Sequence, residues 1–315
     1  MDHAIDAMVA GVYAGDPYQL SLPHAFPKLK ALEDKYGSMI KGQILGAKER
    51  KKRNEVAKSR AAKFSFDEGL QVLPDTMATH LGESLRLNTA VQSVSRTDDG
   101  WAVWTGAGDE THSAVVYCGT AFRLAQLQLN GGPSGDLKIP LELFSEIKYP
   151  PVASVVLGFK RADVRHPCAG FGMLIPRIEG FKILGTIFSS SLFPDRAPAG
   201  HLTLTSYIGG ARYPELAGLP SEKLIELTLA DLRVLFGVGQ PMFTHTAFYP
   251  RAIPQYNVGY GRFRERLTKI EQQAPGFYFA GHYRDGVSLG DSIVSGIKMA
   301  ERLAGQLKLE EPIRV

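Results

Sequence analysis

From Pro27 to about Lys63 apolar residues recur at helical spacing: Phe26, Leu29, Leu32 and Tyr36, then Ile40, Ile44 and Leu45. A second helical run follows Gly69-Leu70, with Leu73, Met77 and Leu81 on one side. The period then shortens to that of strands. Leu85–Leu87, Ala90–Ser95, Trp101–Trp104 and Ala114–Tyr117 read as strands, with a hairpin turned at Asp98-Asp99-Gly100. Gly106-Ala-Gly108-Asp109 reads as a second hairpin loop, because no helix follows it as a phosphate loop would require. After the turn-rich Gly131–Gly135, four more strands are predicted at Val152–Phe159, Phe171–Ile175, Ile183–Phe188 and Leu202–Tyr207. Strands in such close succession predict a mainly antiparallel sheet. A helix over Ser221–Phe236, capped by Ser221 and apolar at Leu224, Leu227, Leu229 and Leu232, is expected to cover it. The last pattern is a strand at Phe277–Ala280, a turn through Gly281 and Gly286, and a helix with Ile293, Val294, Ile297, Ala300 and Leu303 on one face.

With 315 residues, 44% of them hydrophobic, the chain can bury one large core or two modest ones. The formal charge of +4 does not by itself imply a nucleic-acid partner. Basic residues concentrate from Lys48 to Lys63. They suit a solvated helix end, and they also suit anionic lipid headgroups. Two cysteines far apart, Cys118 and Cys168, make no disulfide framework and fit a reducing compartment. Cys118 follows Val115-Val-Tyr117 and is expected in a buried strand. No apolar run reaches the ~18 residues of a spanning helix, and no signal pattern opens the chain.

No metal-ligand spacing, nucleophile elbow or paired-carboxylate motif occurs, and His80, His112, His166, His201, His245 and His282 are scattered. The turn from Gly281 into the last helix stands out. Its glycines let backbone approach a flat ligand, and the helix start offers unpaired N–H donors and positive dipole. An ordinary strand–turn–helix with Asp291 or Ser288 as cap reads equally well.

Ordered blocks along the chain carry a resemblance. They are Gly11-Val-Tyr-Ala-Gly-Asp-Pro17, Leu20-Ser21, Gly37-Ser-Met-Ile-Lys-Gly42, Gly69-Leu70 and Leu73-Pro-Asp75. Gly170-Phe-Gly-Met-Leu-Ile-Pro176 follows, then Gly185-Thr-Ile-Phe-Ser-Ser-Ser-Leu-Phe-Pro-Asp-Arg-Ala-Pro198, Tyr207-Ile-Gly-Gly210, Ala252-Ile-Pro-Gln-Tyr256 and Gly281–Gly296. Taken in this order they resemble protoporphyrinogen oxidases of the flavin amine-oxidase superfamily, nearest the plastid and bacterial forms. The resemblance implies an α/β, FAD-linked, amine-oxidase-like two-domain fold whose α+β substrate part has a mainly antiparallel sheet. It divides the chain into a helical part of a substrate or membrane-associated domain (1–63), a remnant of the FAD-binding domain (64–124), the substrate sheet and helix (125–250), and the C-terminal part of the FAD-binding domain (251–315).

The family's opening βαβ unit carries Gly-x-Gly-x-x-Gly for the FAD pyrophosphate. This chain has no such pattern; Gly237-Val-Gly239 and Gly259-Tyr-Gly261 both fail it. It is therefore expected to be an N-terminally truncated form, with weak or absent FAD binding and no turnover by itself.

The resemblance implies FAD- and oxygen-dependent six-electron oxidation of protoporphyrinogen IX to protoporphyrin IX in haem or chlorophyll synthesis. Coproporphyrinogen III is the alternative substrate. A non-catalytic porphyrin-binding module and an enzyme split over two chains are the other readings. By the same resemblance Phe171, Leu174, Ile187 and Tyr207 line the macrocycle site, where spacing alone makes them sheet core. Val287, Ser288 and Leu289 face the flavin, with Tyr249 and Ala252 near its ring and the Val91 strand at the adenine; Val91 reads as well as a core strand residue. Arg196 is read as a turn and ion-pair residue, and His282 stands where relatives commonly have asparagine. A cytoplasmic protein, homodimeric and peripheral to the inner membrane, completes the expectation.

Overall fold

A computed structural model describes residues 3–52, 63–132 and 136–307. Helices α1 (Ala4–Tyr13), α2 (Pro27–Tyr36), α3 (Met39–Lys52) and α4 (Val72–Leu81) open the chain. Strands β1 (Val91–Thr97), β2 (Gly100–Thr105), β3 (Gly108–His112), β4 (Val115–Tyr117), β5 (Gln128–Gly131) and β6 (Leu137–Ile139) follow. Next come β7 (Val152–Lys160), β8 (Gly172–Leu174), β9 (Ile183–Ile187), β10 (His201–Gly209), α5 (Ser221–Phe236) and β11 (Phe243–Tyr249). The chain closes with α6 (Gly261–Gln273), β12 (Phe277–Phe279) and α7 (Leu289–Leu307). One-turn helices are left unnumbered.

Two compact units divide these elements, 1–82 with 149–255 and 83–148 with 256–315. The sequence places its boundaries at 63/64, 124/125 and 250/251. The two compact units instead divide at 82/83 and 148/149, 19 and 24 residues further on. Residues 64–82, with α4, join the first unit, and 125–148 join the second because β5 pairs in parallel with β1.

The first unit is built on a five-stranded antiparallel sheet in the order β11-β7-β10-β9-β8. Period-two alternation gives it one apolar face: Ala153, Val155, Leu157 and Phe159 of β7 lie opposite Ile208, Ser206, Leu204 and Leu202 of β10. Against that face α5 buries Leu224, Leu232 and Phe236. Ser206, wholly buried, is satisfied by Thr186 at 2.8 Å. Replacing Leu204 by Ala would open a cavity at the centre of this layer, at a cost of about 3 kcal/mol.

The expected cap of α5 is not formed. Pro220 is the cap residue, Ser221 is the first helical position, and its hydroxyl instead hydrogen-bonds Thr246 at 2.8 Å. The predicted helical run from Pro27 breaks at Gly37 (φ 70°) into α2 and α3. Its apolar side stays in the open, with Ile40 and Ile44 exposed, as do Met77 and Leu81 of α4. The stretch from 53 to 62 lies outside the described residues.

In the second unit β3-β2-β1-β5-β6 form one sheet, and β12 and β4 a separate parallel pair. Both hairpin turns occur as predicted, with Thr97 opposite Gly100 and Thr105 opposite Gly108. Leu85–Leu87 is not a strand, and Val115–Tyr117 leaves the hairpin to pair with Phe277–Phe279. Cys118 falls just beyond β4 and is exposed, so the buried-strand expectation fails there; Cys168 is the buried one. Trp101, Phe277, Phe279, Phe144 and Phe263 make the core, with Phe263, Leu267 and Ile270 forming the buried stripe of α6. No helix among the described residues is long and apolar enough to cross a membrane.

Candidate functional site

The face of the first unit's sheet turned away from α5 carries the first candidate site. Strand register puts Leu174, Gly185, Tyr207, Ser154 and Ala247 in one cross-strand row, and Gly172, Ile187, Thr205, Val156 and His245 in the next. Three of the four expected macrocycle residues thus share a face. They are not the ordinary core that spacing alone suggests.

Above this face lies a cavity of about 860 Å³, lined by Ile187, Tyr207, Val156, Gly158, Thr203, Thr205, Phe243, Met242, Phe193, Leu70 and Arg196, among others. The size falls within the usual range for small-molecule sites. Leu174, on the same face, is not among the residues that line the cavity; it packs on α1, where a Cβ on Gly11 would stand 2.3 Å from its Cδ2, so α1 can lie this close only because Gly11 has none. Phe171 does not line the cavity. It stands exposed off the end of β8, with the Lys63 ammonium 5.4 Å above its ring.

The polar groups of this cavity are tied to one another. Ser189 and Thr205 share a hydrogen bond of 2.8 Å, and the Thr203 hydroxyl donates to the Arg196 carbonyl at 2.8 Å. Among the described residues Arg196 makes no ion pair of the kind read from the sequence. Its guanidinium donates to the Phe66 carbonyl (2.5 Å), the Ser65 hydroxyl (2.8 Å) and the Asp67 carbonyl (3.3 Å), holding the 65–70 strap against the cavity rim. Burial raises the Tyr207 hydroxyl above its ordinary pKa, and the charge of nearby Tyr249 adds to this. Tyr249 belongs to the same sheet face, half exposed, and Ala252 is held by its amide to the Pro150 carbonyl at 3.2 Å.

Phe243, Val156 and Gly158 were not legible as lining residues. β11 follows a helix and is polar or aromatic at six of its seven positions with no motif, and only its register against β7 brings Phe243 opposite Gly158. A buried pair anchors the helix that flanks the face. Asp6 of α1 accepts from Arg212 (2.8 Å) and from the Arg177 amide (2.6 Å), while Arg212 also donates to the Ile175 carbonyl (2.8 Å).

The second candidate site is the turn of the second unit. Gly281 (φ 112°) and Gly286 (φ 135°) adopt conformations closed to most residues, and a Cβ on Gly286 would lie 2.7 Å from Asp291. Tyr260 donates to the Tyr283 carbonyl at 2.6 Å and Tyr256 to that of His282, so two buried tyrosines hold the turn. Ser295 completes it, accepting from the Gly281 amide (3.3 Å) and donating to Asp285 (2.5 Å). Burial lowers the His282 imidazole below its ordinary pKa.

Helix α7 starts in a capping box. The Ser288 hydroxyl accepts from the Asp291 amide (3.1 Å), and the Asp291 carboxylate takes the Ser288 amide (3.3 Å) and hydroxyl (2.6 Å). Both cap residues read from the sequence are therefore used, as two halves of one device. The box leaves the amides of Leu289 and Gly290 as first-turn donors that neither cap nor helix engages. Ser288 and Leu289 are exposed, Val287 is half-buried, and a Cβ on Gly290 would meet nothing nearer than the Ser288 hydroxyl at 3.9 Å. There is room for a flat group against backbone here. Val91, at the start of β1, is 46% exposed, which removes its reading as a core residue. Among the described residues no cluster of three or more possible metal ligands occurs.

Protoporphyrinogen oxidase 2 of Arabidopsis thaliana is 34% identical over 331 residues, covering 98% of this chain and 65% of its own length. The coproporphyrinogen III oxidase of Bacillus subtilis is 25% identical over 94% of this chain and 62% of its own. A solved chain from Exiguobacterium, provisionally named a protoporphyrinogen oxidase, superposes with a TM-score of 0.75 at 24% identity, covering 96% of this chain and 63% of its own. The chain thus spans just under two thirds of the length of these relatives. The pattern that defines the flavin containing amine oxidoreductases matches residues 1–304, and this chain belongs to that family.

Proposed function

We propose that this chain carries the macrocycle-binding sheet and the flavin-facing turn of an FAD-dependent oxidase that converts protoporphyrinogen IX to protoporphyrin IX. The observation that carries the reading is the shared sheet face of Leu174, Ile187 and Tyr207 beside a cavity of about 860 Å³. A large, mostly apolar ring needs such a surface: branched aliphatics for area and an aromatic for stacking. Its relatives named for porphyrinogen oxidation support the substrate class.

The α7 turn fits the cofactor by its chemistry: two uncommitted amides at a helix start, open space over Gly290 and a rigid cap. Bound there, FAD would accept the electrons taken from the substrate. This chain's own residues hold and orient. The amides of Leu289 and Gly290 attract an anionic ring edge, and the Ser288–Asp291 box fixes their direction. Ile187 and Tyr207 exclude water from the macrocycle. Phe171 takes no part in this cavity and is reassigned to its surroundings. Oxygen as acceptor, a homodimer, and a cytoplasmic protein touching the inner membrane belong to the same proposal. Exposed Ile40 and Ile44, just before the basic run from Lys48, favour that membrane contact.

The test needs no turnover. Protoporphyrin IX, the stable product, is titrated into the purified chain and followed by fluorescence quenching. Ile187→Ala and Tyr207→Ala should each raise Kd about tenfold, the effect of losing one well-buried apolar contact. Unchanged affinity in both variants would sink the assignment. Tighter binding of coproporphyrin III than of protoporphyrin IX would move the reading to the alternative substrate.

A further inference from the structure

The segment that leads into α4 is tied to the first unit's sheet by few bonds. No residue of α4 is buried, and Phe64 ahead of it is 78% exposed. Among the described residues, the hydrogen bonds of 64–82 stay within the segment, apart from those that Arg196 donates to it. One tie of another kind lies just upstream, the Lys63 ammonium over the Phe171 ring. The placement of this stretch against the cavity therefore depends heavily on one guanidinium.

Its three bonds grip consecutive residues of one turn. The turn Phe66–Gly69 closes by the Gly69 amide on the Phe66 carbonyl (2.9 Å), with Gly69 at φ 98°, a conformation that favours glycine. Arg196 donates to the Ser65 hydroxyl, the Phe66 carbonyl and the Asp67 carbonyl. A planar guanidinium presents its donors as a fixed fork that spans neighbouring acceptors, as a single ammonium does not. Arg196 is itself fixed from behind. Its amide donates to the Phe193 carbonyl (3.0 Å), and its carbonyl accepts from the Thr203 hydroxyl of β10 (2.8 Å). A chain of bonds thus runs from the cavity floor at Thr203 through Arg196 to Ser65, and all three residues line the cavity, as do Gly69 and Leu70. Leu70 directly follows the turn, so where the turn sits decides where its side chain meets the cavity.

We propose that Arg196 is a positioning residue for the macrocycle site: it clamps the turn to β10 and so sets Leu70 as a wall of the cavity, without itself binding a substrate charge. The positioning role rests on the reading of this cavity as the macrocycle site. Leu70 is 55% exposed, apolar area that a flat ring laid against it would cover. A direct contact between Arg196 and a substrate carboxylate suits the geometry less well. Both terminal nitrogens of the guanidinium are committed to three uncharged acceptors, and turning them toward a carboxylate would release the turn.

The experiment uses the full 315-residue chain and two probes followed by fluorescence quenching, protoporphyrin IX and its dimethyl ester, which carries no carboxylate. Arg196→Lys keeps the charge and loses the fork, and should raise Kd for both probes by about tenfold. Leu70→Ala should do the same by a similar factor. The double variant should bind within about twofold of Leu70→Ala alone, because the two residues act through one contact. Ser65→Ala, which removes a single acceptor, should raise Kd by about twofold. Without a probe, amide exchange at Gly69 should quicken by at least about tenfold in Arg196→Lys, as a loosened turn does. A loss confined to the free acid would make Arg196 a carboxylate contact and overturn the positioning role. Losses that multiply in the double variant, or unchanged exchange at Gly69, would overturn it as well. Absence of binding by the unaltered chain to either probe would sink the macrocycle reading, and the positioning role with it. Binding by the unaltered chain that Arg196→Lys leaves unchanged would sink the positioning role alone.

Discussion

Glu271 shows how much of the second unit hangs on single charged groups. Its carboxylate, 7% exposed, takes Arg284, Arg302 at 2.9 Å and the Phe279 amide at 3.1 Å, tying α6 to β12, the turn and α7. Burial alone would raise its pKa; the bond and charge of Arg284, the Phe279 amide and Arg302 outweigh burial and hold it below the ordinary 4.5. A carboxylate depressed in the folded state contributes stability above its unfolded pKa and loses it as pH falls through the folded value. The unit should therefore weaken progressively below about pH 4.5, where unfolded carboxylates begin to bind protons first. Glu271→Gln should cost about 3 kcal/mol near pH 7, because it leaves a part-buried arginine without its counter-charge. It should also flatten the acid limb of a melting-temperature profile. An unchanged limb in calorimetry would assign the acid sensitivity to other carboxylates.

At the scale of elements, the start of α7 is set by backbone before side chains matter. Gly286 at φ 135° lies in a region that L-residues avoid, and any Cβ there would collide with Asp291 at 2.7 Å. Gly286→Ala should destabilise by about 1–3 kcal/mol through strain and a spoiled capping box. Ser288→Ala, which removes only the cap hydroxyl, should cost about 1 kcal/mol. Equal melting temperatures for the two variants would show that the cap alone matters. The turn itself was legible because glycine spacing and a Ser-x-x-Asp start are local signals. The β7–β10 alternation was legible for the same reason, since period-two burial is written in each strand. What could not be read was pairing at a distance. Val115–Tyr117 looks like a hairpin arm until Phe277–Phe279 claims it, and β11 enters the cavity only through its register with β7. The apolar stripes of α3, α4 and α7 had the right period, but a period says which residues seek cover and not what supplies it.

Across the whole molecule, the turn proposed to face the flavin ring belongs to a sequence without a recognisable pyrophosphate loop. Its glycines at 281 and 286 shape a turn at the head of α7, yet none of its 33 glycines falls into Gly-x-Gly-x-x-Gly ahead of a helix. The pyrophosphate is the most highly charged part of FAD, and a helix N-terminus flanked by that motif is its usual anchor. With the isoalloxazine edge held by two amides alone, affinity should fall into a range that gel filtration does not preserve. The purified chain, mixed with excess FAD and desalted, should thus show little flavin absorption between 350 and 500 nm, roughly the window in which bound flavin absorbs strongly. If the chain retained flavin alone, the α7 turn would have to bind far more of the cofactor than its two free amides offer, and the site would need to be redrawn around residues outside the turn.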